Sequence, residues 1–224
     1  QRQLLHRHVQ WRGIQGGNRP ASVRCRPEFY ATQTWNNTDT GDGRRIQVAW
    51  MRWSNFPGMS FNQQISFPCE LTLHHTTDGL RIFRQPIREI SLLHGNPDVW
   101  TNRVLQADEN LPLEPAGQLF HIKAEVEISD GAKLVFRLEG ADVVLTAKTL
   151  ESGSPPGGVA GQIHTVEILV DRTSIEAFAN DGEISSTRFF LPSENGLSVK
   201  AENGTARIKS LIIYPLKSAW PAAN

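Results

Sequence analysis

Closely spaced turn signals constrain the fold of this chain more than any other feature of its sequence. From Glu28 onward, short β-prone runs alternate with Asp-Gly and Asn-Gly pairs, which favour the left-handed backbone of tight hairpin turns. The pairs are Asp42-Gly43, Asp78-Gly79, Asp130-Gly131, Asp181-Gly182, Asn195-Gly196 and Asn203-Gly204. Recurrent turns between short runs predict an all-β protein with antiparallel sheets and argue against alternating β-α-β units.

The second half of the chain shows the alternation of a sandwich strand most clearly. Phe120, Ile122, Ala124, Val126 and Ile128 fall on one side of a strand, and polar residues fall on the other. We therefore predict an antiparallel β-sandwich over residues 111–220, preceded by a residual β-propeller blade or sheet over residues 28–95. Strands of this first segment are predicted at Phe29–Trp35, Arg45–Met51, Ile65–Leu73 and Leu80–Phe83.

Three further segments complete the predicted organisation. The spacing of Ile87, Ile90 and Leu93 before Gly95 predicts one short connecting helix at the end of the first segment. Residues 96–110, which lead into a proline-containing stretch, are predicted to be a linker. Residues 1–27 contain six arginines and no acidic residue, and we expect a basic, poorly ordered leader there.

Charge and hydropathy exclude several classes of partner. The 224 residues contain 23 basic and 23 acidic side chains, so no overall basic footprint for nucleic acid exists. The apolar runs are far shorter than the roughly 20 residues that span a bilayer, and no membrane partner is expected. The first residues lack the apolar core of a secretory signal, so we expect none in the sequence as given.

Cysteine and histidine positions give no metal site or cofactor site. Cys25 and Cys69 are read as two free thiols, with a single bridge between them as the alternative. His74 and His75 are adjacent, so on a strand they point to opposite faces and cannot share a metal. The sequence contains neither a phosphate-binding glycine loop nor a Gly-x-Ser-x-Gly elbow, and we predict no cofactor.

Glycosidase chemistry with retention requires a pair of carboxyl groups about 5 to 5.5 Å apart. The candidates are Glu70, Asp171, Glu176 and Asp181. Asp171-Arg172-Thr173 is typical of a turn with a surface ion pair, and Asn180-Asp181-Gly182 is typical of a hairpin turn. A structural role is favoured for these acids, so the sequence predicts no catalytic residue.

Aromatic and amide residues supply the one candidate binding site. Trp50 and Trp53 precede Asn62 and Gln63, and aromatic rings beside amide groups suit a sugar, because its C–H face stacks on a ring while its hydroxyls bond the amides. We name these four residues as candidate ligand-binding residues. The alternative is that the tryptophans fill a small core.

Five ordered motifs resemble one known family. Phe29–Trp35, Asp42–Met51 and Phe61–Leu73 resemble the last propeller blade of glycoside hydrolase family 32, the β-fructosidases that include invertase, inulinase and levanase. The runs Val170–Gly182 and Ser210–Trp220 resemble the C-terminal β-sandwich of that family. The resemblance covers residues 28–220.

The resemblance implies a retaining fructosidase fold with a fructose-containing saccharide as ligand and an extracellular or periplasmic location. The aspartate and glutamate motifs that carry catalysis in the family have no match here. Trp50-Met51 matches a family Trp-Met that forms an aromatic wall of the sugar pocket, whereas Cys69 replaces the usual arginine. We therefore expect a non-catalytic C-terminal portion with weak fructan or fructose binding.

Two further expectations follow from the resemblance. One alternative is a β-fructosidase whose catalytic blades are supplied elsewhere or by another chain. A blade without neighbours exposes strand edges, so we also expect packing on the sandwich or pairing with a second copy, giving a homo-oligomer.

Overall fold

The computed structural model describes residues 29–35, 41–52, 56, 58–77, 79–153, 156–193 and 196–219. The predicted leader at residues 1–27, and with it Cys25, lies outside these ranges, as does Trp53. Antiparallel pairing joins all strands of the described residues, so the predicted all-β class is confirmed. No helix in the described ranges has the length and apolar character that a membrane crossing needs.

A five-stranded sheet forms the first part of the fold. Its strands are β1 (Tyr30–Trp35), β2 (Arg45–Met51), β3 (Gln64–Ile65), β4 (Cys69–Thr76) and β5 (Gly79–Pro86). The order across the sheet is β1-β2-β4-β5, with β3 paired to β2. A 3₁₀ helix, Arg88–Leu93, follows β5 where the sequence predicts a short helix.

Two six-stranded sheets form the predicted β-sandwich. The strands are β6 (Asp98–Leu105), β7 (Asn110–Leu113), β8 (Phe120–Ile128), β9 (Lys133–Leu138), β10 (Ala141–Leu145), β11 (Thr149–Glu151), β12 (Gly157–Gly158), β13 (Thr165–Asp171), β14 (Ser174–Ala179), β15 (Ile184–Phe189), β16 (Leu197–Glu202) and β17 (Ala206–Pro215). One sheet has the order β12-β11-β10-β9-β16-β7 and the other the order β15-β14-β13-β8-β17-β6.

The sandwich core lies between the two six-stranded sheets. Phe120 and Ile168 from one sheet pack with Phe136 and Val199 from the other, and all four are essentially inaccessible to water. The alternation predicted for β8 is present, because its apolar set faces this core. Burial of such side chains contributes about 1.5–3 kcal/mol each and dominates the stability of the sandwich.

The interpretation of residues 96–110 as a linker is wrong for most of that segment. β6 occupies Asp98–Leu105 and pairs with β17, so this stretch is an edge strand of the sandwich. Only one neighbour supports an edge strand, and most β6 side chains are exposed, which removes the apolar signal that a buried strand carries. The domain boundaries themselves remain a prediction.

A second, smaller core joins the five-stranded sheet to the outer face of the sandwich. Cys69 and Ile90 from the first part of the chain pack against Leu169 and Phe178. All six residues of β14 are buried for this reason, because one face lies in the sandwich core and the other lies under the five-stranded sheet. The two parts of the fold therefore pack directly on each other.

Candidate functional site

Trp50 lies at the centre of an exposed aromatic surface on the five-stranded sheet. In the register of β2, Trp50 faces Tyr30 on one side and Ile65 on the other. The Tyr30 and Trp50 rings meet edge to face with centroids 6.1 Å apart, and the Arg52 guanidinium lies 5.0 Å from the Tyr30 ring centre. We call Tyr30, Trp50, Arg52, Gln63 and Ile65 the Trp50 surface.

One hydrogen bond orients the Trp50 ring. The indole Nε1–H donates to Oε1 of Gln63 at 2.5 Å, while 38% of the Trp50 residue stays exposed. An indole whose only polar atom is already bonded presents an apolar ring in a fixed orientation. The alternative that this tryptophan fills a core does not hold, because Trp50 remains on the surface.

The structure brings two of the four predicted ligand-binding residues together. Trp50 and Gln63 are hydrogen-bonded, and Asn62 is an exposed neighbour of Gln63 in the chain. Trp53 lies outside the described residues. Tyr30 was missed as a member of the surface, because only the pairing of β1 with β2 places it beside Trp50.

Glu176, one of the four acids considered for catalysis, is completely buried between the two parts of the fold. Its Oε1 accepts the Phe67 backbone N–H at 2.5 Å, and its Oε2 accepts Arg84 Nη2 at 2.7 Å and the Thr187 hydroxyl at 2.9 Å. Three donors compensate for the water that this carboxylate has lost. Glu176 therefore has a structural environment.

Arg84 is the partner of Glu176 from β5 and is 8% exposed. Burial disfavours its charge, but the Glu176 carboxylate outweighs burial and raises the pKa of Arg84. The guanidinium carbon lies 4.5 Å from the Phe29 ring centre and 5.3 Å from the Phe178 ring centre, a cation–π arrangement with both rings. Burial also raises the pKa of the neighbouring Cys69 thiol to about 12, so the thiol stays in its neutral form near pH 7.

The remaining candidate acids occupy local structure. Asp171 Oδ1 accepts the Arg172 backbone N–H at 2.7 Å, and Asp181 lies in a turn where its φ is 56°. Glu70 lies 4.0 Å from Nη1 of Arg44. Asp171 borders a turn and Asp181 lies in one, as their sequence contexts indicate. The contact of Asp171 is with the backbone of Arg172, and the sequence context of Glu70 did not indicate its ion pair with Arg44.

Arg44 lies close to the carboxylates of Asp42, Glu70 and Glu89 near the five-stranded sheet. It contacts Asp42 at 2.6 Å and binds Glu89 through both terminal nitrogens at 2.7 and 3.0 Å. The hydrogen bonds from Arg44 lower the pKa of Glu89 to about 2. A general acid of a glycosidase needs the opposite, a carboxyl group with a raised pKa.

A chain of titratable side chains lies where the 3₁₀ helix meets the sandwich. His94 Nε2 is 2.9 Å from His121 Nδ1, and His121 Nε2 is 2.6 Å from Glu167 Oε1. His121 is only 3% exposed, although its position on the polar side of β8 predicts exposure, because His94 and Glu167 cover it. Among the described residues, no group of three His, Cys, Asp or Glu side chains has the arrangement of a metal site.

Comparison with known proteins identifies the architecture. Residues 145–215 match the family described as Glycosyl hydrolases family 32 C terminal. A levanase of Bacillus subtilis (strain 168) is 31% identical over 228 residues, covering 86% of this chain and 34% of that protein. The chain belongs to glycoside hydrolase family 32. It corresponds to the C-terminal part of the β-fructosidase-like proteins of that family, as the resemblance implies.

Other proteins are similar to this chain at lower identity. A sucrose-6-phosphate hydrolase of Klebsiella pneumoniae is 26% identical over 178 residues, covering 73% of this chain and 34% of that protein. Exo-inulinase from Aspergillus awamori superposes with a TM-score of 0.66 at 18% identity, over 87% of this chain and 44% of that one. The chain thus spans about a third of the levanase and of this hydrolase.

Proposed function

We propose that this part of a family 32 protein is non-catalytic and that its Trp50 surface binds fructose-containing saccharides weakly. The observation that carries the proposal is the exposed Trp50 ring held by Gln63. The named activity of the levanase relative supports a β-fructan as the ligand class.

The composition of the Trp50 surface suits a sugar. Apolar C–H faces of a fructosyl unit stack on an aromatic ring, and hydroxyl groups bond the amide and guanidinium groups beside it. Gln63 and Arg52 supply such groups next to the Trp50 and Tyr30 rings. The surface is open, which favours weak binding over the tight enclosure of a deep pocket.

The environments of the acids support the non-catalytic part of the proposal. The Glu176 carboxylate accepts three hydrogen bonds from protein donors, and the hydrogen bonds from Arg44 keep Glu89 ionised. A retaining fructosidase needs one carboxylate free to attack and one protonated to donate. The second candidate function, hydrolysis of fructosyl bonds with catalytic blades supplied elsewhere, is favoured only by the names of the relatives.

Intrinsic tryptophan fluorescence tests the binding. Titration of the 224-residue chain with levan and with inulin is expected to change the emission at millimolar fructosyl concentration, and Trp50→Ala is expected to abolish the saturable change. Trp35→Ala is the matched control, because Trp35 is a similarly exposed tryptophan on the same sheet. Trp35 lies on β1 opposite Ile46, which is four residues before Trp50 on β2. No change with the unaltered chain, or equal loss in both variants, contradicts the proposal.

An assay of released fructose separates the two candidate functions. The purified chain, incubated with sucrose, levan and inulin, is expected to release no fructose above a blank without protein. Release at an enzyme-like rate, abolished by changing a single acidic residue to its amide, favours the hydrolase and contradicts the non-catalytic proposal.

We also propose that a second copy of the chain pairs at the β1 edge of the five-stranded sheet. Within the part of the chain that the structure describes, β1 is the terminal strand of that sheet, and all six of its residues are exposed. Unpaired backbone groups of an exposed edge strand favour strand addition.

A further inference from the structure

The segment between Gln63 and Phe67 connects the Trp50 surface to the sandwich; we call it the bridging segment. Its first residue bonds the Trp50 indole, and Ile65 is the register partner of Trp50. Ser66 ties it to the same strand twice, since Ser66 N–H donates to Ala49 O at 2.9 Å and Ser66 Oγ accepts Ala49 N–H at 3.0 Å. The bridging segment therefore fixes both the ring and the backbone at Trp50.

The sandwich holds the same segment from the other side. The Thr173 hydroxyl donates to Oε1 of Gln64 at 2.6 Å, and Gln64 Nε2 donates to the Thr173 carbonyl at 3.3 Å. Three residues further along, Phe67 N–H donates to Oε1 of Glu176. Thr173 is 1% exposed and Glu176 is fully buried, so both anchors belong to the rigid interior.

We propose that Thr173 and Glu176 are positioning residues, which fix the Trp50 surface for its ligand through the bridging segment. Among the described strands, β3 has two residues and pairs with β2 alone, which is too little backbone pairing to hold its place. The sandwich supplies the missing constraint through side chains 109 residues away. The run Asp171–Glu176 thus has a role at the binding surface as well as in its own hairpin. This inference rests on the proposed function for its ligand, but its geometric part is measurable without one.

Thr173→Val tests the inference, because it keeps the β-branched shape of the side chain and removes the hydroxyl group that donates a hydrogen bond to Gln64. The position of Trp50 is read from the ¹⁵N–¹H indole resonance, assigned by its absence in Trp50→Phe. We expect that resonance to shift, and we expect the dissociation constant for levan to rise about three- to tenfold, the range for one lost neutral hydrogen bond. Thr173→Ser, which restores the hydroxyl, is expected to behave as the unaltered chain.

Thr149→Val is the matched control. It removes a hydroxyl that contacts Thr146 Oγ1 at 2.7 Å in the sandwich, outside the bridging segment. Gln64→Met removes the hydrogen bonds between Gln64 and Thr173 by changing the residue on the five-stranded sheet. If Thr173→Val fails to fold, Gln64→Met tests the inference in its place. Both Gln64→Met and Thr173→Val are expected to move the indole resonance, and Thr149→Val is expected to leave it in place.

The outcomes separate the two proposals. If the unaltered chain binds no fructan but Thr173→Val moves the Trp50 resonance, the proposed function fails and the geometric link stands. If the unaltered chain binds levan through Trp50, and Thr173→Val changes neither resonance nor affinity, the positioning role is overturned while the proposed function stands. A moved resonance with unchanged affinity also overturns the positioning role.

Discussion

Glu176 and Arg84 form a buried ion pair whose members are 92 residues apart in the sequence. Arg84 comes from the five-stranded sheet and Glu176 from the sandwich, and packing of the two parts removes both charges from water. Each charge then finds its counter-charge in the other. Removing two charges from water costs several kcal/mol per ion, so the intact pair adds little net stability. Loss of one member is costly, because the other then remains buried and uncompensated.

Glu176→Gln is expected to lower the free energy of unfolding by about 3–5 kcal/mol, because it leaves the Arg84 guanidinium without its counter-charge. Urea denaturation at pH 7 measures the change. Asp142→Asn is the control, since Asp142 pairs with Arg137 on the surface at 3.1 Å and both side chains are substantially exposed. That control is expected to cost less than about 1 kcal/mol. Equal effects of the two variants contradict a special role for the buried pair.

At the scale of elements, the turn between β14 and β15 abuts the outer strand of the five-stranded sheet. Arg84 N–H donates to the Gly182 carbonyl at 3.0 Å, so the turn caps part of the β5 edge. A Cβ at Gly182 would overlap the Arg84 carbonyl oxygen, and the φ of Gly182 is +85°. Only glycine satisfies both the close approach and the left-handed backbone.

Gly182→Ala is expected to destabilise the chain by at least about 3 kcal/mol, because a steric overlap adds to the left-handed strain. Gly131→Ala isolates the strain alone: its φ is +80°, and an added Cβ would meet no atom within 4 Å. We expect that control to cost about 1 kcal/mol. Thermal and urea unfolding of both variants measure the difference, and similar losses would show that the contact with Arg84 does not matter.

Local sequence patterns predict those elements in which the buried and exposed positions follow a regular order along the chain. β8 and the Asn180–Gly182 turn follow from alternation and turn chemistry, both of which are encoded by neighbours in sequence. β6 was missed because an exposed edge strand lacks alternation. Burial of His121 was missed because its cover comes from a separate segment.

The candidate site shows the same limit. Residue types predict Trp50 and Gln63 as members of one sugar-binding surface; the structure places the two side chains in hydrogen-bond contact, and the binding itself stays a prediction. Thr173 and Glu176 were not predictable as partners of that surface, since their contacts span 109 residues and no local period encodes them. The turn contexts of Asp171 and Asp181 agree with the local structure around these two residues, whereas the partners of Glu70 and Glu176 depend on the fold.

At the scale of the whole molecule, the histidine chain is a second junction between the two parts of the fold. His94 pairs with Leu216 as an isolated bridge, and Gly95 N–H donates to Pro215 O at 2.7 Å. The His94 ring stacks on Tyr214 with centroids 3.9 Å apart. The junction therefore links the end of the 3₁₀ helix to β17.

The stability of this junction is expected to depend on pH through the protonation of His94. Burial lowers the pKa of His94, and the charges of His121 and Lys123 lower it further, against the opposing charge of Glu167. Burial alone would raise the pKa of Glu167, but its hydrogen bond and charge interaction with His121, together with Lys123, lower it. The His94–His121 hydrogen bond requires an unprotonated ring nitrogen, so it cannot persist when both rings are charged.

A lowered His94 pKa means that the folded chain binds fewer protons than the unfolded chain below about pH 6.5. Stability is therefore expected to fall as the pH drops from 6.5 towards 5, and the corresponding loss from Glu167 begins only below about pH 4.5. Melting temperatures of the unaltered chain and of His94→Gln, measured from pH 8 to pH 5, test this expectation. The variant removes the titrating ring, so its curve is expected to decline less between pH 6.5 and 5. Parallel curves for the two proteins would place the pH dependence elsewhere in the molecule.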